Sequence, residues 1–189
     1  HRVRSVWSQE GRHEAIPVED LQLEPAWDPH AVRCERFGQA GSMPVNRFFP
    51  FAAIEDRKNH VFWGAQIAHP ASWQMEVYRK DNGLALSGGL ADRELGHWMK
   101  NVEPGKNFTT PEAIVSTAHT DSFDIFTGRL TTAGLVEGFL KAPESEQDLP
   151  IVFNEYCTTW GNPSHENICE IVDAIKGKGF KYFVIDCGW

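Results

Sequence analysis

Two short stretches of this chain carry residue types suited to binding a polyhydroxylated ligand. Asn154, Glu155, Tyr156, Cys157 and Trp160 follow one apolar run, and Asp186, Cys187 and Trp189 end another, Phe183-Val-Ile-Asp-Cys-Gly-Trp189. Side chains at the C-terminal ends of parallel strands are where barrel-type α/β proteins gather ligand contacts. An ionised carboxylate accepts hydroxyl hydrogen bonds, and an indole packs on an apolar C–H face, so an acid beside a tryptophan suits a sugar. On spacing alone, Asp186 fits a loop cap equally well, and Trp189 fits a core position.

The elements that would position these residues are legible around them. Leu149-Pro-Ile-Val-Phe-Asn154 is a continuous apolar run, of the kind buried on both faces in a parallel sheet. Gly161-Asn-Pro-Ser164 reads as a loop, with Ser164 as the N-cap of a helix whose face carries Ile168, Ile171, Val172 and Ile175. Gly177 and Gly179 end that helix, and Lys181–Asp186 is the second strand. Strand, helix, strand within about forty residues predicts a βαβ unit with a right-handed crossover.

Upstream, the pattern is antiparallel. Arg47–Ile54, the polar turn Glu55–Asn59 and His60–Ala68 read as a hairpin. Trp73–Tyr78 alternates apolar and polar residues, Asp81-Asn82-Gly83 is a turn, Leu84–Leu86 continues, and Gly88-Gly89 reads as a break. Leu95–Val102 and Glu112–Ser116 complete a series of short strands, the signature of a β-sandwich. Residues 1–30 are polar, and Pro17, Pro25 and Pro29 interrupt any long element. From Asp121, the residues Phe123, Phe126, Leu130, Ala133, Val136 and Leu140 recur at helical spacing, predicting a helix over about 121–141 capped by Thr120 or Asp121. The polar stretch 143–149 reads as a linker. The expected organisation is therefore a sandwich with its helix over 1–142, the linker, and a strand–helix–strand segment over 150–189.

Composition narrows the partners. Apolar residues make up 41% and charged residues 23% of 189 residues, which suits an ordered globular chain. A net charge of −8 with no basic block disfavours nucleic acid and anionic membrane. No apolar run approaches the length of a membrane span, and no signal-peptide pattern is present, so a cytoplasmic location is the expectation. The cysteines, Cys34, Cys157, Cys169 and Cys187, form no CxxC pair and read as reduced residues, and the histidines are scattered. No metal or cofactor is expected.

Four segments together resemble glycoside hydrolases of family 36, which are mostly α-galactosidases. They are Phe62-Trp-Gly-Ala-Gln66, Glu103-Pro-Gly-Lys-Asn-Phe-Thr-Thr-Pro-Glu112 (the family's EPGExFTTPE), Pro150-Ile-Val-Phe-Asn154 (PVLxN) and Phe183–Trp189 (FVLDDGW). Their order agrees with the family over roughly residues 46–189. The resemblance implies an antiparallel β-supersandwich, a linking helix, and the opening βαβ of a (β/α)8 barrel, in the N-terminal portion of a retaining enzyme that cleaves terminal α-galactosides. It implies no catalytic residue here, because the family's nucleophile and acid/base lie on later barrel strands. It assigns Asp186, Cys187, Trp189 and Tyr156 to substrate binding, with Asp186 accepting galactose hydroxyls. Cys187 stands where the family has a second Asp, and Tyr156 where many members have Trp. A thiol is a poorer acceptor than a carboxylate, which marks a divergent subgroup. Family sandwiches help build oligomers, so a homo-oligomer is expected of the complete protein. The alternative is a non-catalytic β-sandwich that binds carbohydrate or assembles oligomers. On either reading the 189 residues alone are expected to be inactive.

Overall fold

The computed structural model describes residues 1–23, 34–43, 45–92, 99–138 and 141–189. The described residues are mostly β, with largely antiparallel sheets and few helices. They divide into two compact units, His1–Phe139 and Leu140–Trp189.

The first unit begins with strands that hydrophobicity does not reveal. β1 (Arg2–Arg4) and β2 (Arg12–Glu14) pair antiparallel, held by Arg2 and Arg4 against Glu14 at 2.8 and 2.5 Å. Arg2 also reaches Glu35 at 2.7 Å and lies 4.9 Å from the centre of the Phe48 ring, so β1 is tied by charge and cation–π contacts. β1 then hydrogen-bonds along the next part of the chain: Phe49 N–H donates to the Val3 carbonyl, and Ala53 N–H to that of His1.

β3 (Cys34–Gln39) is followed by β4 (Phe51–Asp56) and β5 (Val61–Ala68), the expected hairpin. β6 (Trp73–Lys80) and β7 (Gly83–Leu90) form a second hairpin through the Asp81-Asn82-Gly83 turn, where Asp81 takes φ 51°. β7 does not stop at Gly88-Gly89, as expected from the glycines, but pairs with β6 as far as Leu90. The reason is a close approach. A Cβ at Gly88 would lie 3.1 Å from both Ile67 Cδ1 and Met75 Cγ, so the glycine lets the two sheets meet there. β8 (Glu112–His119) completes the set. Of the strand expected over 95–102, residues 95–98 lie outside the described residues, and 99–102 are not strand. Pro25 and Pro29 also lie outside the described residues.

The strands order as β3-β6-β7 and β4-β5-β8, and the two sheets enclose one core of Phe37, Phe48, Ala52, Ile67, Trp73 and Met75. A second core covers the opposite face of β4-β5-β8. There Phe51, Ala53, Phe62 and Ala118 pack against Phe126 and Leu130 of α1 (Phe123–Val136). All of Phe51–Ile54 is buried because β4 has no solvent face. The N-cap of α1 is Ser122, whose hydroxyl accepts the Ile125 N–H; the expected cap Thr120 instead accepts the Ser122 N–H. α1 ends at Val136 rather than near residue 141, with Gly138 at φ 74° just beyond it. Val136 is 76% exposed, so the buried stripe is shorter than the spacing predicts, and Leu140 lies outside the described residues.

In the second unit, a single 3-10 turn (Glu144–Glu146) is held to the later strand by the Tyr182 hydroxyl donating to Glu146 and Lys181 donating to the Ser145 carbonyl. β9 (Ile151–Asn154) and β10 (Phe180–Val184) are parallel neighbours, separated in sequence by the one-turn α2 (Tyr156–Thr159) and by α3 (His165–Ile175). Ser164 caps α3 as expected, accepting the Asn167 N–H. Both strands are shorter than the sequence predicts. Leu149 sits at φ 49° outside β9, and Ile185-Asp186 lies past β10. β9 is also not buried on both faces: Ile151 and Val152 are 57% and 51% exposed, since a two-stranded sheet has few neighbours to cover it. Among the described residues, no helix is long and apolar enough to cross a membrane.

Candidate functional site

The parallel register brings Asn154 opposite Val184, so the residues following both strands emerge together. Asn154 acts as a clip. Its side-chain N–H donates to Asp186 Oδ2 at 2.7 Å, and its carbonyl oxygen accepts the Tyr156 N–H at 3.0 Å, which starts α2. The other Asp186 oxygen accepts the Cys187 N–H at 2.8 Å. The Asn154 amide, then the Cys187 N–H, hold the Asp186 carboxyl below the usual range, so it is ionised at neutral pH. Each carboxylate oxygen takes about two donors, so Asp186 keeps room for ligand hydroxyls.

Beneath it lies Glu155, with none of its surface exposed. One oxygen accepts the Asp186 N–H at 3.0 Å, the other accepts the Thr159 hydroxyl, and its backbone N–H donates to the Val184 carbonyl at 3.2 Å. Glu155 is therefore an internal strut joining the end of β10 to α2. Its position after an apolar strand placed it among the candidates, but its sealed role needs the fold: only the parallel register carries Asp186 over it.

α2 stops at Trp160, which takes the left-handed conformation (φ 51°, ψ 44°) and donates its N–H to the Tyr156 carbonyl at 2.7 Å. That conformation costs a non-glycine residue about 1–2 kcal/mol. Gly161 follows at φ 79°, and Gly188 sits at φ 103°. A Cβ at Gly188 would lie 2.6 Å from the Gly161 carbonyl carbon, so the two loops touch backbone to backbone and only glycine fits. The Tyr156 and Trp160 rings stand 6.2 Å apart at 60°.

The structure thus brings Asp186, Tyr156 and Trp160 into one neighbourhood. Trp189 follows at 90% exposure, and Cys187 is exposed with its N–H committed to Asp186. Cys157, Cys169 and Cys187 are free thiols. Of the two acids at these strand ends, Glu155 is sealed and Asp186 is accessible. The geometry therefore supplies a hydrogen-bond acceptor tied through Asn154 to the turn that carries Tyr156 and Trp160, not a reacting carboxylate pair. Among the described residues, no three His, Cys, Asp or Glu side chains cluster to hold a metal.

The first unit contains a cleft of about 640 Å³ lined in part by Trp63, Asp56, Arg79 and Asn82. Two of its charged groups are occupied internally. Arg79 donates to the carbonyls of Leu23, Asn82 and Gly83, and Asp56 accepts from Asn59.

No protein-family model matches the chain. Over 145 residues, 74% of its length, it is 25% identical to alpha-galactosidase Mel36A of Lactobacillus acidophilus. That alignment spans 19% of the relative's length.

Proposed function

We propose that this chain is the N-terminal portion of a retaining α-galactosidase-like glycoside hydrolase. In this reading, the two antiparallel sheets are part of a β-supersandwich, α1 is the linking helix, and β9–α3–β10 opens a (β/α)8 barrel. The observation that carries it is Asp186: an ionised, accessible carboxylate at a parallel strand end, oriented by the Cys187 N–H and by Asn154, which also holds the start of the turn carrying Tyr156 and Trp160. Similarity to an α-galactosidase over most of the chain supports the same reading.

The chemistry follows from the groups present. Asp186 accepts hydrogen bonds from the hydroxyls of a terminal galactosyl unit, and Tyr156 offers a ring and a phenol. Cys187 in its thiol form accepts weakly and so relaxes the recognition that a second carboxylate would give. Retaining hydrolysis needs two carboxyl groups about 5 Å apart. The strand ends provide one accessible acid, and the family resemblance implies that the nucleophile and acid/base lie on later barrel strands. The 189 residues bind the glycone without cleaving it. A cytoplasmic location and oligomer assembly through the sandwich belong to the same proposal.

The test compares this chain with a polypeptide extended beyond Trp189, using a nitrophenyl α-galactoside. The chain alone gives no turnover, and the extended protein does. In the latter, Asp186→Asn lowers kcat/KM by about 10–150-fold, the range expected for the loss of one charged hydrogen bond. Unchanged kcat/KM with a depressed melting temperature would make Asp186 a loop cap and defeat the assignment.

A further inference from the structure

We infer that Glu155 is a positioning residue for glycone binding: sealed in the corner between β10 and α2, it sets where Asp186 stands and so how tightly a galactosyl unit is held. The inference rests on the glycone role proposed for Asp186. Three observations carry it. First, Glu155 has none of its surface exposed. Burying an acid is unfavourable, and an apolar side chain of similar size often stabilises such a site as well or better. An acid kept there has a use other than filling the corner. Added strands would cover the corner further, so this burial does not come from missing neighbours. Second, one of its two side-chain contacts is with Asp186 itself, whose N–H donates to Glu155 Oε1 at 3.0 Å. Third, the grip on the chain after β10 has two points. The Glu155 N–H donates to the Val184 carbonyl at 3.2 Å, and its carboxylate takes the N–H two residues further on.

Two held points fix the direction of the chain as well as its position, and with it the direction in which the Asp186 side chain leaves the backbone. Asn154 then holds the carboxylate end at 2.7 Å. The Cys187 N–H adds a third tie, but it lies on the next residue and moves with Asp186. Asn154 and Glu155, consecutive at the end of β9, thus hold the head and the backbone of one residue across the parallel register. The Thr159 hydroxyl occupies the other Glu155 oxygen, so the Glu155 carboxylate is itself fixed from α2. An acceptor held in place before the sugar arrives loses less freedom on binding it. Glu155 needs no contact with the sugar, because its action passes through Asp186.

The test is a double-mutant cycle in the polypeptide extended beyond Trp189, with a nitrophenyl α-galactoside as substrate and galactose as competing inhibitor. Glu155→Ala should lower kcat/KM about tenfold and weaken inhibition by galactose by a similar factor. The kcat value should stay nearly unchanged, because the contact serves ground and transition states alike. Glu155→Met fills the space without offering an acceptor; it should behave the same way, and it takes the place of the alanine variant if that one does not fold. Glu155→Gln should recover most of the loss, because its carbonyl oxygen still accepts the Asp186 N–H. In an Asp186→Asn background, Glu155→Ala or Glu155→Met should change kcat/KM by less than about threefold, since the carboxylate through which Glu155 acts is already gone. An equal fall in both backgrounds, or a kcat/KM that neither variant lowers, overturns the positioning role and leaves the Asp186 role standing. A kcat/KM unchanged by Asp186→Asn overturns both.

Discussion

Removing the Glu155 carboxylate should loosen Asp186 without dissolving α2. In the native arrangement, one Glu155 oxygen takes the Asp186 N–H at 3.0 Å and the other takes the Thr159 hydroxyl. Hydrogen bonds to a charged group contribute about 1.5–3 kcal/mol each. Glu155→Ala abolishes the first, so exchange of the Asp186 amide should accelerate by about 10–150-fold. Glu155→Gln keeps one carbonyl acceptor, and the Thr159 hydroxyl can rotate to accept from the new amide. Its effect should be smaller, about tenfold or less, the difference between a charged and a neutral acceptor. The Thr158 and Thr159 amides donate to the Glu155 backbone carbonyl, which both variants retain, and serve as internal controls. The assay is hydrogen exchange read residue by residue. Unchanged Asp186 exchange in Glu155→Ala would refute the strut. Equal acceleration at Asp186, Thr158 and Thr159 would show that the substitution merely unfolds the segment.

Other expectations concern the first unit. Phe126→Ala empties a fully buried site stacked 5.6 Å from Phe62 and should cost about 3–5 kcal/mol, seen as a lower urea midpoint. Gly64→Ala places a Cβ 2.8 Å from the Ala53 Cα on the paired strand, where only backbone can yield, and should cost about 1–3 kcal/mol in the same assay. His60 hydrogen-bonds Asp121 at 2.5 Å, and that bond, then the charge attraction, raises its pKa. The stabilisation this gives is fully present below the unfolded value of about 6.5 and is lost as pH rises through the higher folded value. In Asp121→Asn, the His60 titration followed by NMR should return toward the free value; no movement would remove the pair as its cause.

The sequence announced the elements that rest on local rules and concealed those that rest on contacts. Asp81-Asn82-Gly83 is a turn in any context, and Ser164 before an amphipathic run is a cap, so β6–β7 and α3 were readable. β1 and β2 were not, because Arg2-Val3-Arg4 and Arg12-His13-Glu14 hold together by cross-strand charge rather than by apolar alternation. Gly88 looked like a break because its use, letting Ile67 and Met75 come close, belongs to a residue on another strand and one on a neighbouring ladder. Thr120, Asp121 and Ser122 are all cap-forming types, and the choice of Ser122 is visible only in which hydroxyl takes the Ile125 N–H. At the strand ends, residue type and position after an apolar run mark Asp186, Tyr156 and Trp160. The burial of Glu155 and the touching Gly161 and Gly188 backbones depend on a parallel register that no spacing rule supplies.

Strand β4 carries Ala52 into the core between the sheets and Phe51 and Ala53 into the core under α1. A slip of one residue would therefore exchange the two sets, driving a phenylalanine into the space of an alanine on one side and opening a void on the other. Neither core can rearrange while the other stays intact, so this strand acts as a common hinge pin for folding. Loss of α1 and separation of the sheets should be a single all-or-none event, and a half-folded form that keeps one core should have no populated place between the native and unfolded states.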